Sequence, residues 1–108
     1  MLNMRQMKEA MALRKKLKKM QKELKKARVE GTEENGKIRV VVDGEQNLVA
    51  VEIAEELLAP EHRRRLQQGL LRATNAALKQ SKELAQQRIQ ELMGAMPEGF
   101  DVGSLLSR

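Results

Sequence analysis

The most concentrated chemistry in this chain is cationic: Arg14, Lys15, Lys16, Lys18, Lys19, Lys22, Lys25 and Lys26 crowd into thirteen consecutive positions. Ammonium and guanidinium groups at that density neutralise a polyanion and displace its counterions. Residues 1–28 hold eleven Lys and Arg against two acids, Glu9 and Glu23, whereas the other 80 residues hold ten bases and thirteen acids. The formal +6 of the whole chain therefore conceals +9 at one end and −3 over the rest. A solvated helix face is the plain alternative, but such faces intersperse both signs. Like charges four apart, as in Lys15 with Lys19, Lys18 with Lys22 and Lys22 with Lys26, each cost a few tenths of a kcal/mol. An anionic ligand removes that cost.

Arg63, Arg64 and Arg65 form a second cluster where a helix is expected to begin. A cation is unfavourable there by about 0.3–1 kcal/mol at an exposed site, so three in a row read as a phosphate seat of guanidinium forks and backbone N–H groups. Pairing with Glu55, Glu56 and Glu61 is the alternative. No other residues assemble a site. His62 is the sole histidine and there is no cysteine, so no zinc site is expected. Ser81, Ser104 and Ser107 lack an activating context, Asp43 and Gly44 read as turn residues, and the seven glycines form no phosphate loop. The expectation is no catalytic residue, no metal, no cofactor and no small-molecule substrate. With Phe100 the single aromatic, stacking platforms for single strands are missing, which favours duplex.

The elements that must position these groups follow from periodicity. Residues 1–28 read as a basic helix in which Ala10, Leu13, Leu17, Met20, Leu24 and Ala27 recur at steps of three and four, a coiled-coil seam. Met4, Met7 and Met11 sit off that seam. Residues 29–54 read as an antiparallel β-meander of about three strands. Its first turn is Asn35-Gly36, its middle strand alternates Ile38, Val40 and Val42 with charged residues, its second turn is Asp43 to Asn47, and its last strand places Val49, Val51 and Ile53 on one face. Residues 60–94 read as a long helix opened by Pro60 and closed by Gly94 and Pro97, with residues 95–108 as a tail. The helix bears two stripes, Leu66, Leu70, Ala73, Ala77 and Leu84 on one side and Leu71, Leu78, Ala85, Ile89, Leu92 and Met96 on the other, which implies two partners. The fold class is thus α+β, one domain over 1–108. A core without aromatics is small, so dimerisation is expected, with Leu13, Leu17, Met20, Leu24, Leu71 and Leu78 at the interface.

The order of elements resembles the YbaB/EbfC family of bacterial nucleoid-associated proteins, most strongly from Met20 to Phe100. Gln21, Gly31, Gly36, Lys37, Val40, Val42, Gly44, Val51, Glu52 and Ile53 follow the family's strand pattern, with its Gly-x-x-x-Val-x-Val-x-Gly core at Gly36 to Gly44. Ala73-Thr74-Asn75-Ala76-Ala77 and Pro97-Glu98-Gly99-Phe100 are similar to its second helix and its closing motif. The chain departs from many members in its strongly cationic first helix and in Arg63 to Arg65. The resemblance implies a tweezer-like homodimer gripping double-stranded DNA with little sequence preference, located in the cytoplasm and nucleoid. The rival expectations are a scaffold docking an acidic protein or RNA, and attachment to an anionic membrane, against which stand the narrow apolar seam and the lack of bulky aromatics.

Overall fold

Helix α1, Met4–Lys26, starts where the sequence supplies its own cap. In the computed structural model of the chain, which describes residues 3–94, the Asn3 side chain accepts from the Gln6 backbone N–H at 2.8 Å, and the Gln6 side chain accepts from the Asn3 N–H at 3.2 Å. This reciprocal capping box satisfies donors that would otherwise be orphaned, and it begins the helix at Met4, three residues into the expected 1–28. At the other end Ala27 is extended, and the Arg28 guanidinium donates to the carbonyls of Lys25 and Ala27 at 2.9 Å.

Strands β1, Val29–Glu33, β2, Ile38–Val42, and β3, Leu48–Ile53, form an antiparallel sheet in the order β1-β2-β3. The first turn uses Asn35 and Gly36 in the left-handed region, as expected, but Glu34 joins them at φ 53°. Two overlapping hydrogen bonds, Gly36 N to Glu33 O and Lys37 N to Glu34 O, close it. At the second turn the Asp43 carboxylate accepts from the backbone N–H groups of Glu45 and Asn47 and from the Asn47 amide. Burial raises the proton affinity of that carboxylate, yet the Asn47 and Glu45 hydrogen bonds outweigh it and hold the group below its ordinary value. The meander is not the clean alternation of the sequence: Val41 pairs with Ala50 and Val42 with Leu48, which leaves Val49 as the extra residue of a bulge.

After β3 two 3-10 turns, Glu55–Leu58 and Pro60–His62, lead into α2, Arg63–Gly94. Pro60 thus opens a 3-10 turn, and the α-helix proper starts three residues later than expected. Leu57, 1 % exposed, plugs the core formed by Ile38, Val40, Val42, Ala73 and Ala77. The first stripe of α2 lies on β1 and β2, and a Cβ on Gly31 would overlap the carbonyl of Ala73, so only glycine lets strand and helix approach this closely. Val51 shares a face with buried Val40 by pairing, yet it is 47 % exposed because α2 crosses β1 and β2 instead of β3.

The second stripe meets α1 only near its end, where Leu92 packs with Leu13, Leu17 and Met20. Leu24 is buried beside Gly44 in the sheet's second turn. The two helices therefore run antiparallel beyond the sheet, and the molecule measures 68 × 22 × 19 Å. Met96, Pro97, Phe100 and the expected tail lie outside the described residues. Replacing Gly31 by Ala should destabilise the fold by about 1–3 kcal/mol through overpacking; a denaturant midpoint equal to wild type would show that β1 and α2 can separate freely.

Candidate nucleic-acid interface

The seam of α1 decides which way its charges face. With Leu13, Leu17 and Leu24 buried and Met20 half-buried against the rest of the chain, the helix is oriented, and Arg14, Lys15, Lys16, Lys18, Lys19, Lys22, Lys25 and Lys26 are all exposed. At about 100° per residue, Arg14, Lys15, Lys18, Lys22 and Lys25 share an arc roughly opposite the seam, spanning about 17 Å along the axis. Lys18, Gln21, Lys22 and Lys25 border a shallow depression of about 250 Å³ with Glu45 on its rim. Lys16 and Lys19 stand on a flank beside Met20, Glu23, Arg88, Glu91 and Leu92.

None of these eight cations forms an ion pair among the described residues. The two acids of the helix are engaged elsewhere, Glu9 by Arg5 at 3.6 Å and Glu23 by Arg88 at 3.8 Å. Arg88 also reaches Glu91 at 3.5 Å. In the sheet region the pattern reverses. Arg39 bridges Glu30 at 2.6 Å and Glu52 at 2.8 Å across all three strands, Lys37 meets Glu56 at 3.1 Å, and Arg72 meets Glu33 at 3.4 Å. The hydrogen bond from Arg39 lowers the proton affinity of Glu30, and its two carboxylate partners raise that of Arg39. Glu30, Glu33, Glu52 and Glu56 are thus each matched by a base, and the densest group of cations without an ion pair among the described residues stands on α1.

Arg63, Arg64 and Arg65 do not act as one group. Arg65 donates from Nε to Glu34 at 2.6 Å and lies 3.3 Å from Nδ1 of His62, and its hydrogen bond holds the Glu34 carboxyl below the ordinary range. The partner is thus Glu34, not the Glu55, Glu56 or Glu61 that sequence proximity suggested. Arg63 and Arg64 are exposed and form no ion pair among the described residues. They are also far from α1. Ser81 marks the level of Leu24 along α2 through Asp43 and Gly44, and eighteen residues of helix put Arg63 about 27 Å beyond it. Lys79 and Lys82, exposed on α2, were not singled out by sequence because they are scattered in a helix of mixed charge.

The expected interface residues divide similarly. Leu13, Leu17 and Met20 pack with Leu92 of α2 within the same chain, and Leu24 is buried beside Gly44. Leu78 packs partly against the core, and Leu71 is 63 % exposed. Among the described residues no group of His, Cys, Asp and Glu could hold a metal ion, and no helix is long and apolar enough to cross a membrane.

Residues 1–96 match the YbaB/EbfC DNA-binding family. The chain belongs to that family. It is 34 % identical over 96 residues to a nucleoid-associated protein of Chloroflexus aurantiacus, covering 88 % of this chain and 96 % of that one. A nucleoid-associated protein of Geobacillus sp. (strain WCH70) is 39 % identical over 77 residues, 71 % of this chain and 68 % of that one. In fold it is similar to a crystal structure of an uncharacterized Helicobacter pylori protein, with a TM-score of 0.74 at 19 % identity, covering 86 % of this chain and 99 % of that one. This YbaB/EbfC chain thus combines a helix, three antiparallel strands and a long helix, with its cations concentrated on α1. If those cations repel one another, Lys18→Gln with Lys22→Gln should stabilise the free protein by about 0.5–1 kcal/mol at low salt. The gain should vanish near 1 M salt, and thermal melts with no salt-dependent gain would show that the repulsion is already screened.

Proposed function

We propose that the protein binds double-stranded DNA as a homodimer, mainly through phosphates and with little sequence preference, and takes part in organising the nucleoid. The observation that carries this is the row of exposed cations on α1 that form no ion pair among the described residues. Lysine is a compact point charge on a flexible stem, suited to following a phosphate backbone whose charges recur regularly whatever the sequence. Arg14, Lys15, Lys16, Lys18, Lys19, Lys22, Lys25 and Lys26 supply the contacts, with Arg63 and Arg64 as a secondary site and Arg65 bound to Glu34. Membership of a DNA-binding family and the names of the relatives support DNA as the polyanion and the nucleoid as the place.

Dimerisation is supported by apolar surface that one chain leaves open. Among the described residues the outer edge of β3 has no strand partner, and Leu48, Val49, Val51, Leu58 and Leu71 are each 47–63 % exposed. Burying these side chains against a second copy is the reading proposed for Leu71 and its neighbours, with the α1 seam occupied by α2.

Two measurements test this. Fluorescence anisotropy with two unrelated duplexes should give similar affinities that fall steeply between about 50 and 200 mM salt, and Lys15, Lys18, Lys19 and Lys22 changed to Gln should flatten the salt slope by about 0.9 per lost phosphate contact. Unchanged affinity would remove α1 from the contact. Light scattering should give twice the chain mass of 12.3 kDa, falling to the single-chain value when Val51 and Leu71 are both changed to Glu; a wild-type monomer at micromolar concentration would defeat the dimer.

A further inference from the structure

Met4, Met7 and Met11 are 76, 52 and 69 % exposed, and none belongs to the cluster that joins α1 to α2. At about 100° per residue they fall within the same arc of roughly 100° as Arg14, Lys15, Lys18, Lys22 and Lys25, and about 140° around the helix from the seam. One face of one helix is therefore apolar in its N-terminal half and cationic in the remainder. The halves meet in space. Met11, Ala12, Arg14, Lys15 and Lys18 line a single shallow depression of about 570 Å³. A polyanion that follows the cations along the helix axis toward its N-terminus runs over the methionines.

We propose that Met4, Met7 and Met11 are the apolar part of the DNA-contacting face of α1, packing on sugars and base edges and opening a base step where the helix meets the duplex. This rests on the DNA-binding reading above. Charge argues for that occupant: a second copy presenting the same stripe would set cations against cations. An anionic bilayer needs a broad apolar face, and the broader one, Leu13, Leu17, Met20 and Leu24, is turned toward the rest of the chain. Duplex DNA offers phosphates beside apolar sugar and base surfaces, and apolar side chains including methionine act as wedges between base steps. The unbranched thioether adapts to such an irregular surface.

Met7→Gln with Met11→Gln tests this without threatening the fold, since both side chains are exposed and glutamine is as good a helix former. On a duplex carrying 2-aminopurine, the wild-type protein should raise the fluorescence of the unstacked base. The variant should bind about tenfold more weakly, with the salt slope unchanged because no charge is lost, and give no rise. A variant equal to wild type in affinity and fluorescence overturns the proposal. So does a wild type that binds but leaves the base stacked, which keeps the phosphate contacts and removes only the wedge. If wild type binds no duplex at low salt, the DNA reading itself falls. A variant that loses binding to phosphatidylglycerol vesicles but not to DNA overturns the proposal in favour of a lipid surface.

Discussion

The turn at Asp43 and Gly44 is the point through which α1, the sheet and α2 are joined. The Gly44 N–H donates to the Leu24 carbonyl at 2.7 Å, and the buried Ser81 hydroxyl donates to the Asp43 carbonyl at 2.7 Å. A Cβ on Gly44 would stand 2.6 Å from the same Leu24 oxygen, so the strand-to-helix approach depends on glycine there. Buried hydrogen bonds of this kind are modest when made and costly when one partner is lost. They hold α1 at a set angle, and the direction of every lysine on α1 follows from that angle. Ser81, which looked inert as chemistry, is thus one of the residues that aims the cationic face.

Charge is partitioned along the same lines. The sheet region carries more acids than bases, but its arginines and Lys37 are placed across strands or across the strand–helix boundary, where Glu30, Glu33, Glu34, Glu52 and Glu56 receive them. Exposed pairs of this sort contribute about 0–1 kcal/mol each, so their larger consequence is where they leave the field. The compact part of the molecule is close to neutral at short range. The projecting helix is not, and a duplex approaching within a Debye length of about 8–10 Å meets α1 as the source of positive potential.

Packing within the chain and contact with other molecules use different faces. The seam of α1 and the first stripe of α2 are engaged internally, and the charged ladder Glu30, Arg39 and Glu52 faces solvent on the far side of the sheet. Among the described residues, the large apolar side chains left open are on β3 and its following turn, at Leu71 and Met93 of α2, and on the methionines of α1. That separation leaves the cationic face of α1 and the exposed apolar edge of the sheet at different places on an elongated body.

Several features were fully legible in the residues. Local rules determined them: the steps of three and four in α1, the alternation of Ile38, Val40 and Val42, the left-handed tolerance of Asn35-Gly36, and the +9 of residues 1–28 are properties of near neighbours. The Asn3–Gln6 capping box was legible too, as an Asn three residues before a Gln, although periodicity alone overlooks it. Tertiary structure decided what each apolar stripe touches. A coiled-coil seam is satisfied equally by another copy or by the chain's own second helix, and within one chain Leu92 of α2 covers Leu13, Leu17 and Met20. The exposure of Val51 and the pairing of Arg65 with Glu34 were likewise invisible, since each depends on where α2 crosses the sheet, and the bulge at Val49 is set by the register of β2 on β3. The sequence determined that the chain carries a cationic helix, and the packing of that helix against α2 determined which of its faces a ligand can reach.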